Sequence, residues 1–256
     1  MNIKMMKKIS YILAMCMIVL AGSSCSKLDN QDAPSETLTG SVVDAGTGKT
    51  VQTENGSGTR IKLLETSWSD NPTPFYIASM QDGTFNYTKL FPGTNKISAE
   101  GPFVPIVQTD ASGATTVDKS QTVQITGTTT VNFSVDPFLR IEWVGEPVIN
   151  ADGTISASFK FTRGTNDPSF QQDISDVHMF VNSNKFVGNN NYDNRYSPKI
   201  DYSGSDANAQ IGQTITFTTT GGPLPTKREY FIRIGARINY GLNYYNYTEV
   251  KTVTVP

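Results

Sequence analysis

Between Glu229 and Ile238 every second residue is apolar or aromatic: Tyr230, Ile232, Ile234, Ala236 and Ile238. Side chains repeat their direction every two residues only in an extended chain, so this stretch is a strand with one face buried. Shorter runs of the same kind recur along the whole chain, divided by Gly, Asn and Asp. No long stretch carries apolar residues at helical spacing. Low charge (17% Asp, Glu, Lys and Arg), 21 glycines and many Thr, Tyr and Val agree with an all-β chain.

The strands fall into two sets. In the first, runs are expected at Thr37–Asp44, Arg60–Leu64, Pro74–Met80, Thr84–Tyr87, Asn95–Ala99, Gln121–Ile125 and Thr130–Val135. Ala45-Gly46-Thr47-Gly48, Asn55-Gly56-Ser57-Gly58 and Leu90-Phe91-Pro92-Gly93 are turns between them. Asp82-Gly83 between alternating runs signals a hairpin. In the second set, strands are expected at Leu139–Val144, Ile155–Phe161, Val177–Val181, Thr214–Thr218, Glu229–Ile238 and Tyr247–Val255. Closely spaced short strands make sandwiches. The expectation is two tandem β-sandwiches, residues 37–136 and 137–256, divided at Val135-Asp136-Pro137-Phe138.

The N-terminus fixes an address. Lys4, Lys7 and Lys8 precede the apolar run Ile9–Leu20, and small residues lead to Cys25. This is the pattern of a secretory signal, too short to span a membrane. Ala21-Gly22-Ser23-Ser24-Cys25 resembles the lipoprotein box of bacteria, although Gly22 stands where Leu is usual. The resemblance implies that residues 1–24 are removed and that Cys25 is acylated and becomes the new N-terminus. Residues 25–36 are then a lipidated tether, polar and interrupted by Pro34. Its acids Asp29 and Asp32 resemble surface-export signals of Bacteroidetes lipoproteins. With Cys16 lost in the leader, Cys25 is the one remaining cysteine, so no intramolecular disulfide, cysteine nucleophile or cysteine-based zinc site is expected. Loss of the three leader lysines takes the formal charge of −2 three units lower. That balance argues against nucleic-acid binding, which needs a basic stripe.

Further motifs narrow the folds. Asp44-Ala45-Gly46-Thr47-Gly48-Lys49-Thr50-Val51, Asp82-Gly83-Thr84-Phe85 and Leu90-Phe91-Pro92-Gly93 resemble carboxypeptidase regulatory-like, transthyretin-like domains, which are non-catalytic. Leu224 and Tyr230 keep the six-residue spacing of the tyrosine corner in fibronectin type III and immunoglobulin-like domains, where the Tyr hydroxyl bonds backward. Together with the leader, and with Asp32–Gly40 and Gln52–Gly56, the chain resembles a Bacteroidetes surface lipoprotein family of unknown function. That resemblance implies an association with SusC/SusD-type glycan-uptake systems.

Chemistry has few places to reside. A Ser-His-Asp triad would need His178, the sole histidine, which lies in an expected strand two residues after Asp176. No Gly-x-Ser-x-Gly elbow or phosphate-binding glycine loop occurs, and no cofactor or metal is expected. Asp44 and Asp82 read as turn residues. Two stretches are rich in Tyr and Asn: Asn189–Tyr196 and Asn239–Tyr247. Aromatic rings stack on the C–H faces of sugars while amides hydrogen-bond their hydroxyls. Tyr192, Tyr196, Tyr240, Asn243, Tyr244 and Tyr245 are therefore the candidate glycan-binding residues, with core packing and turn support as the competing roles. Trp68, Phe75 and Tyr76 form a second candidate group. The expected function is non-catalytic glycan binding by an outer-membrane, lipid-anchored, surface-exposed protein serving a glycan importer. The alternative is a scaffold or stalk that contacts other outer-membrane proteins.

Overall fold

A computed structural model of the protein describes residues 32–256. The expected leader and Cys25, the expected site of acylation, lie outside the described residues. Among those residues no helix is long and apolar enough to cross a membrane.

The first half contains β1 (Glu36–Asp44), β2 (Arg60–Glu65), β3 (Phe75–Ala78), β4 (Thr84–Leu90), β5 (Gly93–Glu100), β6 (Val107–Thr109), β7 (Thr115–Asp118), β8 (Gln121–Ile125) and β9 (Thr128–Val135). One sheet has the order β4-β1-β9 and the other β3-β2-β5-β8, with β6-β7 as a separate hairpin. Leu38, Val42, Ile61, Phe85, Ile97, Ile125 and Phe133 meet between the sheets. Burying a side chain of this size contributes about 1.5–3 kcal/mol. Strand β1 pairs antiparallel with β4 but parallel with β9, from Thr37 opposite Thr128 to Asp44 opposite Val135. Gly40 makes that approach possible, because a Cβ there would lie 1.7 Å from the Val131 carbonyl oxygen. Gly83 takes φ +79° in the expected β3–β4 turn.

The second half contains β10 (Leu139–Trp143), β11 (Val148–Ile149), β12 (Ile155–Arg163), β13 (Ile174–Asn182), β14 (Lys199–Asp201), β15 (Ile215–Thr218), β16 (Arg228–Ile238), β17 (Asn246–Tyr247) and β18 (Lys251–Val255). Two short 3-10 helices, Pro168–Phe170 and Asp206–Gln210, interrupt the loops. Strand β12 lies between β10 and β11 on one side and β15 on the other; the facing sheet is β14-β13-β16, with β17 and β18 both on β16. The expected alternation of β16 is observed: Tyr230, Ile232, Ile234, Ala236 and Ile238 all enter the core with Phe159 and Phe161. The tyrosine corner is also present, with the Tyr230 hydroxyl donating to the Pro225 carbonyl at 3.2 Å.

Polar contacts lock the halves together. Arg140 grips Asp44 through two bonds of 2.6 and 2.7 Å. Burial pushes the Asp44 carboxyl up, but Arg140, the Gly46 amide and the Thr47 hydroxyl outweigh it and hold the pKa below its ordinary value. Asn246 accepts from the Leu139 amide and donates to the Pro102 carbonyl. Arg233 is fully buried and donates to the carbonyls of Thr248, Thr53 and Val187. It also lies 3.9 Å over the ring of Tyr247, whose hydroxyl donates to the buried Glu54.

The first sandwich has two distinct poles. The chain enters at one, where Glu36 lies opposite Leu90. It leaves at the other, where Val135 lies opposite Asp44 and the second sandwich begins.

Candidate functional site

The outer face of the β2–β5 layer is the starting point. Alternation sends Ile61 and Leu63 into the core, so Arg60, Lys62 and Leu64 face outward. In the β2–β5 register they lie beside Glu100, Ser98 and Lys96. Arg60 pairs with Glu100 at 2.7 Å and lies 4.0 Å over the ring of Tyr76. Lys62 approaches the same carboxylate only to 3.9 Å. Lys96 pairs with Asp118 at 2.6 Å, and that contact, with the Ser120 hydroxyl and amide, holds the Asp118 carboxyl at about 2.

The second half roofs this face. After β16 the chain turns through Asn239–Tyr245 to reach β17. Asn243 adopts φ +54° and donates its amide to the Tyr240 carbonyl at 3.0 Å, which closes the turn. Tyr240 is fixed by edge contacts to Phe138 at 5.2 Å and Phe170 at 5.4 Å. Leu242, at the tip, is 60% exposed. Tyr240, Leu242 and Tyr244 close a cavity of about 350 Å³ against Lys62, Leu64, Lys96, Ser98 and Glu100. Its floor is apolar, from Phe103 and Phe138, and Ile106 and Val107 close one side. The result is aromatic and aliphatic walls beside two ammonium groups, a carboxylate and a hydroxyl. That composition suits a ligand with apolar faces and hydroxyl or charged edges.

The structure divides the candidate residues. Tyr240 and Tyr244 line the cavity, and exposed Asn243 shapes the turn that carries them. Tyr245 is only 5% exposed; its hydroxyl donates to Asp176, so it cannot offer a ring face. Tyr196 is 7% exposed within the core of the second sandwich, where its ring packs rather than binds. Tyr192 is exposed but lies outside the cavity, covering His178 at 4.8 Å and Phe180 at 5.5 Å. Nearby, the backbone amides of Asn189 and Asn190 donate to Glu54, the Asn190 side chain bonds Ser57, and the Asn191 side chain bonds Asn182 and the Phe186 carbonyl. The two Tyr- and Asn-rich stretches therefore do not form one edge. Tyr76 lies under Arg60, which pairs with the cavity residue Glu100, but none of Trp68, Phe75 and Tyr76 lines the cavity.

His178 shares the outer face of β13 with Asp176, as the spacing predicts, but the pair is not a relay. Asp176 is occupied by Arg237 at 2.7 Å and by the Tyr245 hydroxyl. His178 is buried, and burial, aided by Lys199, pushes its imidazole down to about 4.

Sequence reasoning did not find Lys62, Lys96 and Glu100 as site residues. Their outward direction was readable from alternation. Their partnership with Tyr240 and Tyr244 joins positions far apart in the chain and exists only once the halves are locked together. A second cleft of about 600 Å³ lies at the same junction. Among its charged groups Arg140 pairs with Asp44 and Lys251 with Glu146, and the indole N–H of Trp143 is engaged by the Glu249 carbonyl.

Residues 36–136 match the model "Protein of unknown function (DUF3823) N-terminal domain", and residues 144–252 match "Domain of unknown function (DUF3823_C)". The crystal structure of a DUF3823 family protein from Bacteroides uniformis is 37% identical, with a TM-score of 0.81, covering 87% of this chain and 100% of that one. At lower identity, a "putative carbohydrate binding protein" from Bacteroides uniformis (20%, TM-score 0.65) and a DUF3823 family protein from Parabacteroides merdae (21%, TM-score 0.63) share the fold, each covering 87% of this chain and 100% of its own. No curated protein matches the chain.

Proposed function

We infer the function from the premise that this chain belongs to the DUF3823 family, and propose that it is a non-catalytic glycan binder whose site is the junction cavity. The observation that carries the proposal is the convergence of Tyr240, Leu242 and Tyr244 from one sandwich on Lys62, Lys96, Ser98 and Glu100 from the other. Tyrosine rings supply faces for sugar C–H groups, and the polar groups supply hydrogen bonds to hydroxyls. The description of a neighbour of the same fold as a "putative carbohydrate binding protein" supports the same class of ligand.

The location belongs to this proposal. The lipoprotein-like leader and Cys25 support a location on the outer membrane, held by a lipid anchor and facing the cell exterior. There it would present captured glycan to a SusC/SusD-type importer.

Calorimetric titration of residues 26–256 against a panel of polysaccharides tests the site. One glycan should bind, and Tyr244→Ala should weaken it about tenfold or more, equivalent to about 1.4 kcal/mol. Tyr192→Ala, outside the cavity, should leave binding unchanged. Silence across the panel, or equal loss in both variants, would sink the cavity reading and favour the scaffold role.

A further inference from the structure

The pole where the chain enters the first sandwich carries aromatics that the cavity does not use. The Thr66 amide donates to the Thr94 carbonyl at 2.8 Å, and the Thr94 amide donates to Ser67 Oγ at 2.7 Å. These bonds hold Trp68 beside the β4–β5 turn, which contains Phe91 and Pro92. Trp68 is 78% exposed and Phe91 49%. Both are therefore in water, Trp68 more so than Phe75, Tyr76, Met80 or Val107, the other exposed apolar residues of the first sandwich. Of the acids at this pole, Glu65 accepts the Ser67 amide at 2.8 Å and Glu36 accepts the Gly127 amide, while Asp70, two residues after Trp68, is exposed.

The same pole receives the tether, since Glu36 opens β1 opposite Leu90. Cys25 lies eleven residues before Glu36. Fully extended, that length spans no more than about 40 Å. A lipid on Cys25 thus holds this pole, where the chain enters the sandwich, within that distance of the bilayer. Tryptophan and other amphipathic aromatics favour the headgroup level of a membrane. A contact already confined by a short tether needs little energy of its own, because its effective concentration is high.

We propose that this pole docks on the bilayer that holds Cys25, with Trp68 and Phe91 seated at headgroup level. The proposal rests on the lipid anchor assigned above. Docking would stand the first sandwich on the membrane and carry the junction cavity away from it.

The chain has two tryptophans, Trp68 and Trp143, so emission can report the contact. The full chain would be produced in a bacterial host with a clickable palmitate analogue, using Cys25→Ser as the unlabelled control. The labelled protein would be reconstituted into phosphatidylethanolamine and phosphatidylglycerol vesicles with brominated acyl chains. The wild type should lose most of the Trp68 share of its emission, and Trp68→Phe, at an exposed position, should lose none. A labelled wild type that stays unquenched would overturn the docking while leaving the anchor in place. Quenching that persists in Trp68→Phe would also overturn it, because Trp143 would then be the residue in lipid. Absence of the label would remove anchor and docking together.

Discussion

Arg233→Met tests whether the two sandwiches form one body. The guanidinium is fully buried and bonds carbonyls from both halves: Thr53 at 2.9 Å, Thr248 at 3.2 Å and Val187 at 3.4 Å. Burial pushes its pKa down to about 10, with Tyr247 and Glu54 pulling upward, so it is charged at neutral pH. Methionine fills much of the volume without the charge or the donors. It strands three buried carbonyls and leaves Glu54 without a nearby cation. Removing one partner from a buried charged cluster costs about 3–5 kcal/mol. Against a total stability of about 5–15 kcal/mol this is a large fraction. Adding Glu54→Gln removes the stranded charge and should return about 1 kcal/mol or more, a non-additivity expected of residues in one network. Guanidinium unfolding of the four proteins in the cycle measures both quantities. The wild type should unfold in a single transition, and Arg233→Met should separate the halves into two. A loss below about 1 kcal/mol with additive singles would refute the reasoning and reduce the cluster to packing.

Two further substitutions probe the surroundings. His178 titrates near 6.5 when unfolded but about 4 in the fold, so below pH 6.5 the unfolded chain takes a proton that the native protein refuses. Stability should fall as pH drops from about 6.5 to 4, by at most about 2 kcal/mol after allowance for solvent screening; His178→Leu should flatten that part of the urea-midpoint profile. Gly188 faces the cluster from the 183–191 loop, and a Cβ there would lie 2.5 Å from Glu54 Oε2. Gly188→Ala should therefore cost about 1–3 kcal/mol in thermal melts, and an unchanged midpoint would mean that the loop yields freely.

Where residue direction alone decides, the sequence was a good guide. The alternation of β16, the Asp82-Gly83 turn and the Leu224–Tyr230 corner are local relations, and each has its expected form in the structure. Strands β6, β7, β11 and β14 were missed because they are two to four residues long and mostly exposed, leaving no buried face to write a period. The parallel β1–β9 pairing joins positions more than ninety residues apart. Arg233 sits at an odd position of an otherwise regular strand, and pattern alone would send it to solvent. It is buried because the 183–191 loop and the Thr53–Glu54 segment cover that face. The site followed the same rule. Tyr240 and Tyr244 were readable as a tyrosine-rich turn, whereas the burial of Tyr196 and Tyr245 depends on neighbours the sequence does not place.

The parallel pairing of β1 with β9 has a mechanical consequence. A tug on the N-terminus pulls β1 by its first residue, while a load on the second sandwich pulls β9 by its last. The two forces are opposed and run along the strands. The hydrogen bonds between Thr37–Asp44 and Thr128–Val135 are therefore strained together in shear and cannot open one after another like a zip. Strands loaded this way resist until the whole interface slips. The first sandwich is thus built as a link in series, able to transmit tension between the N-terminus and the second sandwich without unravelling from its ends.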